Sequence, residues 1–207
     1  MGLLNLLLKD PLAFALLAVP LLYSVVIHEV AHGWVANRMG DPTAKWLGRL
    51  SLNPMKHLDP IGTLMLFIAG FGWAKPVPIN FNNISDRRKG LIFVSSAGIV
   101  ANILLALISL FFFRLLSLSS SGIAALLVYY LVQINITLAA LNLIPIPPLD
   151  GSKILMGIAA GRIGYFLARL EPYGFFIIIG LLYLGILDPL IGFFRWIIGT
   201  LIGLLLP

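Results

Sequence analysis

His28-Glu29-Val30-Ala31-His32 has the residue types and spacing for metal-assisted hydrolysis. On a helix, residues four apart share a face, so both imidazoles can hold one ion. The glutamate between them can serve as base toward water activated there. Random placement produces the pattern in roughly 4 of 10,000 sequences of this composition. The pentad lies in an apolar stretch from about Leu12 to Val35, flanked by LAVPLLYSVVI and GWVANRMG. Ionisable groups at membrane depth are costly and are usually retained for function. The plain alternative is a pair of helix-surface histidines that bind nothing.

The rest of the chain has to place that pentad in a membrane. Of its 207 residues, 60% are hydrophobic and only 11% charged, which excludes a typical soluble domain. The composition implies a polytopic membrane protein with short loops, read as one domain over residues 1–207. Cysteine is absent, so a metal site must draw on His and carboxylate. The net charge of +6 sits in loops between apolar runs, a mark of topology with no nucleic-acid partner implied. MGLLNLLLKDP lacks a basic leader and a small-residue cleavage site, so no removed signal peptide is read there.

The expected fold is all-α and polytopic, with about five to six transmembrane helices plus a membrane re-entrant β-hairpin near residues 61–80. Leu12–Met39, Leu91–Leu116 and Ile123–Ile144 are long enough to cross. Phe175 to about Leu187 crosses if it extends back toward Tyr165, and Pro189–Leu206 supplies a fifth crossing. Ile61–Trp73 is too short to cross upright, and basic residues flank it on both sides: Arg38, Lys45, Arg49 and Lys56 before, Lys75 and Arg87 to Lys89 after. A hairpin turning at Gly70 and Gly72, continuing through Trp73, Lys75 and Pro76, keeps both basic loops on one side. A short tilted helix is the alternative. With the basic loops cytoplasmic, the pentad lies toward the inner end of the first span, and Lys153, Arg162 and Arg169 fall on the same side.

A hydrolytic zinc site usually has three protein ligands. His57 lies in the polar loop Asn53 to Asp59 and is expected to be solvated there. Asp150 is the better third candidate, because three prolines break the chain just before it, at a depth similar to the pentad's. Its alternative role is to cap the helix that follows. Asn102 and Asn142 are amides within apolar spans; each could support a developing oxyanion or make an interhelical hydrogen bond. Gly98 and Ala101 are small enough to let a neighbouring helix approach.

Taken together, HExxH in the first span, the small-residue motif ending at Asn102, and N-x-x-P-x-P-P-L-D-G at Asn142 to Gly151 resemble the site-2 proteases, peptidase family M50. Gly48-Arg-Leu-Ser-Leu-Asn-Pro54 through Gly72-Trp-Ala-Lys-Pro-Val-Pro78 is similar to compact prokaryotic members without appended sensor domains. The resemblance implies an intramembrane zinc metalloprotease with His28, His32 and Asp150 on one Zn2+, Glu29 as catalytic base, and a hairpin that presents substrate. It further implies a transmembrane or membrane-bound peptide substrate and a multi-pass position in a prokaryotic cell membrane, active site toward the cytoplasm. Ile99 departs from the proline often found after the family's equivalent glycine, which bears on local helix geometry. A divalent metal transporter built on the same His/Asp site is the rival function, with a non-proteolytic membrane scaffold behind it.

Overall fold

Asp-Pro pairs start two of the helices that frame the structure. The computed structural model describes residues 3–70, 72–117, 122–159 and 161–206. After a short helix α1 (Leu3–Lys9), Asp10 accepts a hydrogen bond from the Ala13 amide at 2.9 Å and Pro11 takes the first position of α2 (Pro11–Arg38). At 28 residues, α2 is about 42 Å long, more than a bilayer core. Near its end the Arg38 guanidinium lies 4.8 Å above the Trp34 ring, a pairing suited to the membrane interface.

A short helix α3 (Thr43–Trp46) and a ten-residue helix α4 (Pro60–Ala69) precede the second long helix, α5 (Arg87–Leu115). Then come α6 (Ile123–Leu143), α7 (Asp150–Ile158), α8 (Arg162–Leu170), α9 (Gly174–Tyr183) and α10 (Leu187–Leu205). Among the described residues, five segments are long and apolar enough to cross a membrane: α2, α5, α6, the α8–α9 run over Arg162–Tyr183, and α10. The chain is an integral membrane protein of helical fold. The weak fourth span does extend back past Tyr165, through a 3-10 turn at Glu171–Tyr173.

Helices α2, α5 and α6 pack against one another, with α7 on α5 and α10 on α6. Ile99 and Ala106 of α5, Val132, Ile136, Ala139 and Ala140 of α6, and Ile198 and Ile202 of α10 form the larger buried cluster, and Ala36, Ile84 and Val94 a smaller one. The three alanines of the larger cluster let its helices approach closely, the packing mode that holds membrane bundles together.

The expected β-hairpin does not form among the described residues. Residues Pro60–Ala69 form α4, started by Asp59, which accepts from the Gly62 amide at 2.8 Å, with Pro60 at its first turn. Gly70 ends it at φ +79°, a left-handed conformation that glycine adopts without strain. From Gly72 the chain runs extended to Asn80, and the β pairing among the described residues here is a single antiparallel bridge, Leu58 with Ala74. Short length, glycines and flanking basic residues suggested a hairpin, but Asp59 and Pro60 start a helix here and Gly70 stops it.

Helix α6 stops at Leu143, and Ile144 to Leu149 are non-helical although Ile144 and Pro147 are fully buried. Irregular backbone at membrane depth is tolerated when protein covers it. A Cβ on Gly151 would lie 2.3 Å from the Leu143 carbonyl oxygen, so only glycine lets α7 restart against the end of α6. At its other end α7 is held by Arg88, which donates to the Gly157 and Ile158 carbonyls at 3.2 Å.

Candidate metal centre

The break between α6 and α7 puts Asp150 at the first turn of α7, facing the two histidines of α2. Its side chain makes no helix cap. His28 Nε2 and His32 Nε2 are 3.0 Å apart, and Asp150 Oδ2 is 3.1 Å from the first and 3.2 Å from the second. All three residues are buried.

The other ring nitrogens decide what these contacts are. His32 Nδ1 lies 2.6 Å from the Val94 carbonyl, which can only accept, so that nitrogen carries the hydrogen. His28 Nδ1 lies 2.6 Å from Asn102 Oδ1 and likewise donates. Neutral rings held this way turn both Nε2 lone pairs toward each other and toward the Asp150 oxygen, itself without a hydrogen-bond donor. Three acceptors within 3.2 Å of one another repel unless a cation sits among them. Ligands on a tetrahedral ion with bonds of about 2.0 Å are about 3.3 Å apart, close to the observed triangle. Two imidazoles and one carboxylate suit zinc with a position left open.

Gly98 on α5 closes the back of the site. A Cβ there would come within 2.5 Å of His28 Cε1 and of His32 Nε2. The small-residue motif therefore serves to admit the two rings against α5. Ile99, where the resemblance led one to expect proline, is buried in the core beside α6 and α10 without breaking α5.

Three helices measure the depth of the centre consistently. His32 is six residues from the Arg38 end of α2, about 9 Å; Gly98 is ten from Arg88 on α5, about 15 Å. Asp150 lies seven residues from Gly157, where α7 meets Arg88, about 11 Å. The three residues therefore lie within the lengths of the long helices α2 and α5, nearer the ends that carry Arg38 and Arg87 to Lys89.

Glu29 points to the extended segment. Its Oε2 accepts from the Val77 amide at 2.7 Å. Gly33, one turn on, admits Val77 and Leu50 where a Cβ would meet their side chains at 2.8 and 2.7 Å. The face of α2 bearing Glu29 and Gly33 thus receives residues 75–80. That segment is fixed from its other side. Lys75 N donates to the His57 carbonyl at 2.8 Å, Arg49 Nη2 donates to the Lys75 and Pro76 carbonyls, and Asn80 N donates to Asp41 Oδ2 at 2.7 Å. Since Pro76 and Pro78 have no N–H, most of this edge's donors are absent or already used. Trp73 stacks edge-on against Phe175 of α9, ring centres 5.1 Å apart. Gly72 packs on α4, where a Cβ would lie 2.2 Å from the Gly62 oxygen.

His57 differs from its expected solvated state. It is 1% exposed, with Nε2 on the Ser51 carbonyl at 2.8 Å, because this loop folds tightly over the end of α2. Of the two candidate amides, Asn102 bonds directly to His28. Asn142 donates to the Leu138 carbonyl of its own helix at 3.0 Å. Two buried residues that the sequence reading did not reach, Asn135 and Ser24, bond to Asn102.

Asp41 is fully buried in the same loop region. Burial pushes its carboxyl up, but bonds from the Thr43 hydroxyl, the Asn80 amide and the Asn83 side chain outweigh this and hold it below the usual carboxylate range. A lowered folded-state pKa adds stability above the unfolded value, and that stability is lost as pH falls through the folded one, so this clamp opens only in acid. Asp41→Ala is expected to cost on the order of 2 kcal/mol by orphaning buried donors. It should also speed exchange of the Asn80 amide, as hydrogen exchange in detergent micelles would read.

Comparison with known proteins fixes the family. The model of peptidase family M50 matches residues 116–184, the stretch containing Asp150. The candidate zinc metalloprotease YwhC of Bacillus subtilis is 39% identical over 170 residues, 78% of this chain and 77% of its own. The chain belongs to peptidase family M50. The candidate zinc metalloprotease Rip2 of Mycolicibacterium smegmatis is 33% identical over 82% of this M50 chain and 67% of its own. The zinc metalloprotease MJ0392 of Methanocaldococcus jannaschii is 26% identical, matching 76% of this chain but only 38% of its own length. No solved structure matches significantly. As an M50 member the chain is a metalloprotease, and transport of a divalent ion finds no support.

Proposed function

We propose that this chain is an intramembrane zinc protease that hydrolyses peptide bonds within or beside transmembrane segments of membrane-protein substrates. The observation that carries the reading is the convergence of three lone pairs at membrane depth with a carboxylate, Glu29, on the same helix. The metal ligands are His28, His32 and Asp150, and Glu29 is the base. The gathering of Arg38, Lys45, Arg49, Lys56, Lys75 and Arg87 to Lys89 near the site's end of the bundle supports a cytoplasmic-facing centre in a prokaryotic cell membrane.

Bound zinc supplies Lewis acidity that polarises water and the scissile carbonyl. Glu29 takes the water's proton and returns it to the leaving amine. The Nδ1 bonds of His28 and His32 keep both rings in the tautomer that binds metal. Asn102 Nδ2 is already engaged, so its amide supports the His28 ring and has no donor directed at an oxyanion. A helical substrate hides its peptide bonds and must unwind before it reaches Glu29, so glycine and proline near the cleavage point favour cutting.

The test is cleavage of a transmembrane peptide by the purified protein in detergent. Cleavage should need zinc and stop with chelator; chelator-resistant cleavage, or zinc flux into liposomes without cleavage, would overturn the proposal. Asp150→Ala removes one of three ligands and should weaken zinc binding by more than about a hundredfold, beyond the usual cost of losing an outer-shell partner. Competition with a chromogenic chelator measures it.

A further inference from the structure

We infer that Asn135 and Ser24 set which nitrogen of His28 carries its proton, although neither residue touches that ring. The inference rests on His28 being a metal ligand and extends that reading to a relay across three spans. Ser24, Asn102 and Asn135 are each 0% exposed, on α2, α5 and α6 respectively. Asn135 Nδ2 donates to the Leu131 carbonyl and to Ser24 Oγ, both at 2.8 Å. Asn102 Nδ2 donates to Asn135 Oδ1 at 2.7 Å and to the Ser24 carbonyl at 3.3 Å. Asn102 Oδ1 then receives the His28 Nδ1 hydrogen at 2.6 Å.

Direction in this chain is set by the groups that cannot reverse. A backbone carbonyl only accepts, so Leu131 O fixes the nitrogen end of Asn135 and turns Asn135 Oδ1 toward Asn102. That oxygen, with Ser24 O, fixes the nitrogen end of Asn102 and turns its oxygen toward His28. The ring must then hold its hydrogen on Nδ1 and leave the Nε2 lone pair for metal. His32 reaches the same state in one bond from Val94 O. His28 has no carbonyl in that place and borrows two, Ser24 O through Asn102 at 3.3 Å and Leu131 O through Asn102 and Asn135 by bonds of 2.7 and 2.8 Å.

Without the Asn135 acceptor, the buried Asn102 amide has a donor with no partner. Reversing that amide places its nitrogen against His28 Nδ1, and the ring hydrogen moves to Nε2. A hydrogen and a metal cannot share one lone pair, so binding weakens. Asn135 is a positioning residue, acting through Asn102.

The experiment uses the full chain labelled with 15N-histidine, zinc-free in micelles, at a pH alkaline enough to keep the rings neutral. Long-range 1H–15N spectra report the His28 tautomer, and chelator competition reports zinc affinity. The wild type should show the hydrogen on Nδ1. Asn135→Leu should move a measurable fraction to Nε2 and weaken zinc binding by about tenfold or more. Asn135→Asp keeps an acceptor facing Asn102 and should restore both. If Asn135→Leu fails to fold, Asn135→Ser is read in its place, because its hydroxyl is too short for Asn102 and turns to Leu131 O. A lower melting temperature with unchanged tautomer and affinity, or an aspartate variant as impaired as leucine, would overturn the inference. The tautomer is read without metal, so it decides this point even if proteolysis is never found.

Discussion

Glu29→Gln should lower peptide hydrolysis by about 10³-fold or more while leaving zinc affinity within about twofold of wild type, since general-base removal costs on that order. The glutamine is nearly the same shape, and its carbonyl oxygen can still accept the Val77 hydrogen that Glu29 Oε2 now takes at 2.7 Å. The extended segment over Glu29 and Gly33 therefore stays in place. So do the three metal ligands, none of which bonds to Glu29. What disappears is the capacity to take a proton and hand it on. Cleavage of a transmembrane peptide in micelles, with metal content measured on the same sample, separates this from collapse of the site. Wild-type rates for Glu29→Gln would remove the glutamate from the mechanism, and loss of zinc would show that it supports the ligands.

How far the centre was legible in the sequence follows from the range of the interactions involved. The histidine pair is set by one helical turn, a local relation that spacing alone reveals. Asp150 was found at long range because the pentad calls for a third ligand and the proline-broken span puts a carboxylate at similar depth; without the pentad it would read as a helix cap. The region 57–80 was misread for a different reason. Asp59 and Pro60 are a helix start and Gly70 a helix stop, the same kind of signal that correctly begins α2 at Asp10 and Pro11. Periodicity over so short a stretch does not separate strand from helix, and the capping residues do. His57 is buried by bonds to Ser51 and Lys75, contacts that no local pattern encodes. Asn135 carries the same signal as Asn102 and Asn142, an amide amid Gln133-Ile-Asn-Ile-Thr137 in an apolar span. One sequence cannot rank three such amides. Only the mutual packing of α2, α5 and α6 shows which two lie behind His28.

That packing makes Gly98→Ala the variant with the largest expected effect on metal: zinc affinity should fall by about 10³-fold or more, and hydrolysis with it, set against the 10–100-fold usual for an outer-shell change. The added methyl would sit 2.5 Å from His28 Cε1, 2.5 Å from His32 Nε2 and 2.6 Å from His28 Nδ1. Carbon contacts are favourable near 3.5–4.0 Å, so something must move by about 1 Å. The rings cannot simply retreat, because both are tied to α5, the helix that carries the methyl: His28 through Asn102 and His32 through the Val94 carbonyl. If α5 backs away it stretches both bonds together and releases both tautomers. If the rings rotate, their Nε2 atoms no longer converge on Asp150. Either path removes two ligands at once, whereas Asp150→Ala removes one. The fold should survive, since one extra core methyl typically costs about 1–3 kcal/mol. Gly180→Ala is the control: it sits on α9 with nothing within 4 Å of the added carbon and should leave metal binding unchanged. A Gly98→Ala protein that binds zinc like the wild type would mean that α5 does not hold the imidazoles, and the second half of the centre would have to be assigned elsewhere.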